Sequence, residues 1–272
     1  MKYCIDKIYN SAIPLIVISI DFTKAYDSVK REKLIKVLKD YKVNANLIDI
    51  ISNLYNNDQT IMNKNQQTEI EINVTCGIKQ GCTASTTLFK LITYEIIKNL
   101  ENSCIEGFKD NNFRIKSLFY ADDVLLLTHT VVEAEKAIDK LIEVGGECGL
   151  TINMIKSKIL IFNMKEKPIS IRGIKVVREI KYLGVKINDT SNCFKNQKLE
   201  AIAKADRMAN LTYPVIAQSC HKLLIRKNYW KSVILPSVLY GCSVIEFTKT
   251  EIEKLQIIEN KVYRHILGAP SY

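Results

Sequence analysis

Two adjacent carboxylates, Asp122 and Asp123, sit between the apolar runs Phe119-Tyr120-Ala121 and Val124-Leu125-Leu126-Leu127. Both flanks favour strand and Asp favours a tight reversal, so the stretch reads as a β-hairpin with Ala121, Asp122 and Asp123 at or near its turn. Strand pleating cannot bury both carboxylates, so at least one projects outward. Two neighbouring carboxylates repel unless one is protonated or a cation neutralises them, and hard oxygen ligands suit Mg²⁺. For an isolated Asp-Asp the bland alternative is a solvated turn. A third carboxylate changes the weighting. Leu15-Ile16-Val17-Ile18-Ser19-Ile20 is a nearly unbroken apolar run that reads as a strand buried on both faces, with Asp21 at its exit. Three carboxylates from adjacent strands can hold two divalent ions at roughly 3.5–4 Å, the arrangement that clamps attacking and leaving oxygens in phosphoryl transfer.

The elements that must position these groups follow from periodicity. Leu34, Ile35, Val37 and Leu38 recur at helical spacing, with Asp27 or Ser28 available as a cap. Leu47, Ile48, Ile50, Ile51 and Leu54 make a second amphipathic helix, and residues 68–74 alternate as a strand exposed on one face. Gly77-Ile78-Lys79-Gln80-Gly81 then forms a loop opening onto a helix from about Ser85 to Leu100. Its glycines allow close approach to a ligand, and the helix start offers free N–H groups to phosphate. A plain strand-to-helix turn is the alternative. Val131 to Glu147 reads as a helix whose weak end is marked by Gly145 and Gly146. Ile159 to Phe162 is a strand, and residues 169–177 and 179–187 are short paired strands. From about Asn196 the chain is helical and basic, with Lys198, Lys204, Arg207, Lys222, Arg226, Lys227 and Lys231 punctuating the apolar pattern. Such helices suit contacts to a duplex backbone.

Charge distribution fits a polyanion partner, with a merely soluble, lysine-rich surface as the alternative. Residues 1–150 carry 18 Lys and Arg against 20 Asp and Glu, whereas 151–272 carry 21 against 9, so the whole net charge of +10 arises in the C-terminal part. A basic region beside an acidic site separates phosphate contacts from chemistry. The eight cysteines include no C-x-x-C pair, and no histidines cluster, so neither zinc nor a disulfide framework is suggested and a reducing, intracellular setting, nuclear or cytoplasmic, is the simpler reading. No apolar run approaches the roughly 20 residues of a membrane span.

Tyr120-Ala121-Asp122-Asp123, preceded by the run from Asp21 through Tyr26-Asp27-Ser28-Val29 and by Gly77-Ile78-Lys79-Gln80-Gly81-Cys82, resembles the reverse transcriptase of non-LTR (LINE-type) retrotransposons. Gly149-Leu150-Thr151-Ile152-Asn153 with Lys156-Ser157-Lys158, then Lys181-Tyr182-Leu183-Gly184-Val185, Pro236 to Gly241 and Arg264 to Gly268, extend the likeness over most of residues 12–268. Thr83 and Thr86 depart from it, standing where many relatives have proline. The resemblance implies an α+β right-hand polymerase palm, a mixed antiparallel sheet packed on helices, followed by a basic, mainly helical thumb. The expected division is 1–165 palm with residual fingers elements, 166–190 a primer-positioning hairpin, and 191–272 thumb. It implies an RNA-directed DNA polymerase working on an RNA template, a DNA primer and deoxynucleoside triphosphates, with two Mg²⁺ ions, or Mn²⁺ in their place, held by Asp21, Asp122 and Asp123. Lys156 would serve the leaving pyrophosphate, and Phe22, Tyr26, Lys79, Gln80 and Gly81 the substrates, with Tyr26 excluding a ribose 2′-hydroxyl. With about twenty residues before Asp21, the resemblance leads one to expect fingers that are largely absent from this stretch. The alternatives are a remnant that folds and binds nucleic acid without polymerising, or a palm used as an interaction scaffold.

Overall fold

In the computed structural model of the chain, the residues described are 1–56, 59–64, 68–110, 113–217 and 222–267. They form two compact units that divide at residues 178 and 179.

The first unit opens with helix α1 (Lys2–Ser11) and strand β1 (Leu15–Ile20), followed by a one-turn helix α2 (Ala25–Ser28), α3 (Arg31–Asp40) and α4 (Ala45–Asn56). A two-stranded ladder, β2 (Gln59–Lys64) and β3 (Thr68–Asn73), precedes α5 (Ser85–Glu101). The expected one-face exposure of 68–74 concerns side chains of which only Val74 is among those described. A small ladder, β4 (Phe108–Asp110) with β5 (Phe113–Ile115), leads to β6 (Ser117–Tyr120), β7 (Asp123–Thr128) and α6 (Val131–Cys148). The unit closes with β8 (Lys158–Phe162), β9 (Ser170–Ile171) and β10 (Ile174–Val177).

Six of these strands make one mixed sheet in the order β6-β7-β1-β8-β10-β9, antiparallel except where β10 runs parallel to β8. Strand β1 therefore lies inside the sheet with partners on both edges. Both of its faces are also covered, which is why its sequence is apolar without alternation. Ile16, Ile18 and Ile20 join Val124, Leu126, Ile159 and Ile161 in a core shared with Phe89, Ile92 and Ile96 of α5 and Ala134, Ile138 and Leu141 of α6. The other face buries Leu15, Val17, Leu127, Leu160 and Phe162. There α1 lies against the sheet, with Tyr9 edge-on to Phe162 at 6.1 Å and the Asn163 amide donating to the Ile8 carbonyl at 2.8 Å.

Helix boundaries differ from the sequence reading at two places. Neither Asp27 nor Ser28 caps the helix through Leu34: the chain makes the separate turn α2, Ser28 hydrogen-bonds back to the carbonyls of Thr23 and Lys24, and α3 starts after Lys30. Nor do Gly145 and Gly146 weaken the end of α6. The helix runs through both to Cys148, and the left-handed cap is Gly149 at φ 91°. At its other end Thr130 caps α6 by accepting from the Glu133 N–H. In α4 the apolar positions split. Ile48, Ile51 and Tyr55 are buried, whereas Leu47, Ile50 and Leu54 face outward.

Lys116 is a buried exception to the rule that lysines stay in water. Its ammonium donates to the carbonyls of Leu100, Glu101 and Ser103, capping the C-terminal end of α5, where free carbonyls and the helix dipole favour a cation. Burial holds its pKa below the usual lysine value. Lys116→Met keeps the length but strands those carbonyls, and is expected to lower stability by about 1–3 kcal/mol, read as a fall in the urea midpoint with unchanged slope.

The second unit begins with the hairpin β11 (Glu179–Tyr182) and β12 (Val185–Asn188), whose two-residue turn puts Leu183 and Gly184 at positive φ. Helices α7 (Lys195–Ala217) and α8 (Lys222–Tyr229), a π-helical turn over Trp230–Ile234, α9 (Leu235–Val238), a 3-10 turn over Cys242–Val244 and α10 (Lys249–Leu267) complete it. Its own core gathers Ala205, Ala209, Trp230, Ile234, Val238, Ile258 and Val262. The basic positions are not one solvated stripe. Lys198 is 6% exposed and pairs with Glu251 at 3.3 Å, and Lys204 donates to the Ser237 carbonyl at 3.0 Å. Arg207, Lys227 and Lys231 do face outward, while the side chains of Lys222 and Arg226 lie outside the described set.

Among the described residues the seven cysteines are free thiols. No described helix is long and apolar enough to cross a membrane.

Candidate active site

Sheet register brings the acidic strand ends together. Tyr120 pairs with Asp123 across the β6-β7 hairpin, so Ala121 and Asp122 alone form its turn. Ile20 pairs with Val124 on the next strand over, which carries the exit of β1 at Asp21 alongside Asp123. Ala121 sits at φ 53°, a left-handed conformation that costs an L-residue roughly 1–2 kcal/mol and projects Asp122 from the turn. Both hairpin carboxylates are exposed and Asp21 is half-buried.

The three groups feel one another. Partial loss of water around it first, then the charge of Asp122 and then that of Asp21, push the Asp123 carboxyl above its ordinary pKa. As donors they are oxygen-only, anionic and mutually repelling, which suits a hard divalent cation. Their side chains are not gathered into a closed cage, however: among the described residues no group of three or more His, Cys, Asp or Glu is arranged to hold a metal ion.

A second segment fixes Asp21 from behind. The Asp21 N–H donates to Ser157 Oγ at 3.1 Å, the Asn153 N–H donates to the Asp21 carbonyl at 2.8 Å, and the Thr23 N–H donates to the Thr151 carbonyl at 2.9 Å. Phe22 and Ile152 form the bridge between these bonds. Lys156 is exposed on this segment, where Asn153 Oδ1 accepts from its backbone N–H at 3.1 Å. Asn153 and Ser157 are thus site-building residues that sequence reasoning passed over. They stand inside a quoted motif, but their partner is a backbone 136 residues away for Ser157, which no local pattern reveals.

Phe22 is placed differently from the other expected substrate residues. Its ring is 6% exposed and belongs to the core, so it supports the site from beneath. Tyr26 is half-buried, with its ring stacked on Phe89 at 4.3 Å. Burial, and then the charge of Asp122, raise its phenol pKa, so the ring stands within electrostatic reach of the acidic turn.

Tyr26 also ties in the glycine loop, because its carbonyl accepts from the Ile78 N–H at 2.8 Å. The loop then presents Gln80 and Gly81 to solvent with Lys79 half-buried, and Ser85 Oγ donates to the Lys79 carbonyl at 2.6 Å where α5 begins. Lys79, Gln80 and Gly81 are therefore tied to the segment that follows β1 through the Tyr26 carbonyl. The fold gathers every expected site residue into the first unit.

A palm-like mixed sheet with acidic residues at its strand ends is the class these features define. The sequence family described as reverse transcriptase (RNA-dependent DNA polymerase) matches residues 6–187, and the chain belongs to it. Among curated relatives, a Pol polyprotein from the type-1 retrotransposable element R2 of Bradysia coprophila is 28% identical over 268 residues, covering 92% of this chain and 29% of that protein. The RNA-directed DNA polymerase from mobile element jockey of Drosophila funebris is 25% identical over 213 residues, covering 73% of this chain and 22% of the relative. The chain thus spans under a third of either. Among solved structures, telomerase from Candida tropicalis in complex with the TWJ fragment of telomeric RNA superimposes with a TM-score of 0.54 at 13% identity, over 98% of this chain and 47% of that one. That likeness concerns the fold.

Proposed function

We propose that this chain is the polymerising portion of a non-LTR retrotransposon reverse transcriptase, extending a DNA primer on an RNA template. The observation that carries the reading is the register that sets Asp21 and Asp123 side by side, with Asp122 on the adjoining β6-β7 turn, in a member of the reverse transcriptase family. Asp21, Asp122 and Asp123 would hold the divalent ions. Mg²⁺, when bound, lowers the pKa of a hydroxyl nucleophile and offsets charge on transferring phosphate.

The rest belongs to the chain's own side chains. Asn153 and Ser157 hold the Asp21 backbone so that its carboxylate stays at the strand exit. Lys156, exposed beside it, supplies positive charge for the leaving pyrophosphate. Gln80 and Gly81 present a polar, sterically open edge to the nucleotide, and Tyr26 walls the sugar. In the second unit the outward-facing Arg207, Lys227 and Lys231 suit contacts with a nucleic-acid backbone, making it the thumb, with the β11-β12 hairpin at the primer.

Primer extension on poly(rA)/oligo(dT) with dTTP and Mg²⁺ tests the reading; a chain that retains the duplex yet adds no nucleotide would leave only nucleic-acid binding. Tyr26→Ala is expected to raise incorporation of ribonucleotides relative to deoxynucleotides by on the order of tenfold or more, since the wall against a 2′-hydroxyl is removed. Competition between UTP and dTTP in the same assay measures it.

A further inference from the structure

We propose that Asp27 is the positioning residue for Gln80, determining which end of the Gln80 amide is presented to a bound nucleotide. The last clause rests on the polymerase reading; the positioning itself does not.

Backbone hydrogen bonds tie the loop to the segment that carries Asp27. The Gly77 N–H donates to the Val29 carbonyl and the Ile78 N–H to the Tyr26 carbonyl, both at 2.8 Å. Arg31 adds a bracket from the start of α3: its Nε donates to the Gly77 carbonyl at 3.0 Å, and its Nη1 to the carbonyls of Val74 and, at 2.7 Å, Tyr55. The Arg31 guanidinium also lies 4.9 Å over the Tyr55 ring. Backbones meet so closely that a Cβ on Gly77 would stand 2.7 Å from the Asp27 carbonyl oxygen.

On this frame Gln80 Nε2 lies 2.9 Å from Asp27 Oδ1. A free glutamine amide can turn over and exchange its donor and acceptor ends. A carboxylate only accepts, so only the NH₂ end can face Asp27. Oε1 and the second N–H are left for a ligand. The bond is charge-assisted and so roughly twice as strong as a neutral one. Among the described residues Asp27 is the partner of this side chain, and the pair borders an open cleft of about 600 Å³ that leaves the amide accessible. The loop therefore offers an acceptor, Oε1, in a fixed place beside the remaining N–H, which suits a donor on the nucleotide at that position, such as a sugar hydroxyl.

Two readouts on the full chain test this. With ¹⁵N-glutamine labelling, the Gln80 side-chain NH₂ pair, assigned by its loss in Gln80→Ala, is expected to show one proton shifted downfield and protected from solvent exchange. Asp27→Ala should return it to the free-amide position, and Asp27→Asn, which keeps an acceptor oxygen, should restore part of the shift. In primer extension Asp27→Ala and Gln80→Ala should each raise the KM for dTTP about tenfold with kcat nearly unchanged, and the double variant should lose no more than either alone. A merely structural Asp27 would instead lower kcat and melting temperature together without moving the KM, overturning the proposal. A Gln80 amide already free in the wild type and indifferent to Asp27→Ala also overturns it. Should the wild-type chain make no DNA, the proposed function fails on its own account, and the amide signal alone decides whether Asp27 positions Gln80.

Discussion

Asp122→Asn is expected to reduce Mg²⁺-dependent primer extension by roughly a thousandfold or more, while leaving the fold as it is. The size follows from losing one anionic oxygen donor where several kcal/mol of transition-state charge stabilisation is at stake. Retention of the fold follows from the position. Asp122 is an exposed residue of a two-residue turn whose flanking ladder is held by the pairing of Tyr120 with Asp123 and of Phe119 with Val124. Asn fits such turns as readily as Asp. Removing the charge also relieves the repulsion that helps hold the Asp123 carboxyl above its ordinary pKa, so thermal stability should stay level or rise slightly. Extension assays with the variant beside the wild type, and a melting curve for each, separate the two effects. Appreciable extension by a pure variant would remove Asp122 from the catalytic set.

Gly149→Val should have the largest effect on stability. Gly149 caps α6 at φ 91°, and a Cβ there would overlap the Ser28 carbonyl oxygen and crowd the Lys30 nitrogen, 2.9 Å away. Both contacts are backbone, on the segment that leads from α2 into α3, where the Lys30 N–H donates to the Cys148 carbonyl at 2.9 Å. Neither side can yield without separating α6 from that segment. Left-handed strain adds roughly 1–2 kcal/mol to the steric cost, for a combined loss of about 3 kcal/mol or more. That corresponds to a fall in melting temperature of roughly 6–12 °C for a unit of this size. A variant melting within a degree of wild type would show that the backbone contact is not rigid. Gly146→Ala supplies the contrast, since its Cβ would meet nothing within 4 Å and helix propensity favours alanine.

The strand Leu15–Ile20, the acidic hairpin, the loop opening onto α5 and the helix after Val131 were all legible, because each rests on short-range patterning: an apolar run, an acidic reversal, paired glycines, a 3.6-residue repeat. Errors arose where a residue's side chain or backbone was claimed by a partner that its type alone does not name. Ser28 has the side chain of a helix cap but spends its hydroxyl on Thr23 and Lys24. Gly145 and Gly146 look like a helix end, yet α6 runs through both to Cys148 and the left-handed cap falls at Gly149. Lys198 reads as a phosphate contact until burial and Glu251 claim it.

The sequence by itself marked the candidates for chemistry, since Asp21, Gln80 and the Asp122-Asp123 pair stand out by type and by their place at the ends of strand-forming or glycine-rich runs. Tertiary structure decided what surrounds them. Registers across β6, β7, β1 and β8 bring together residues more than a hundred positions apart, and only that pairing assigns Ser157 and Asn153 to the backbone of Asp21, Tyr26 to the neighbourhood of Asp122, and Asp27 to the amide of Gln80. The physical reason is that these supporting contacts are single hydrogen bonds and charge interactions between segments remote in the chain. They leave no periodicity in the residues that make them, and become visible once burial of the two apolar sheet faces has fixed the strand order.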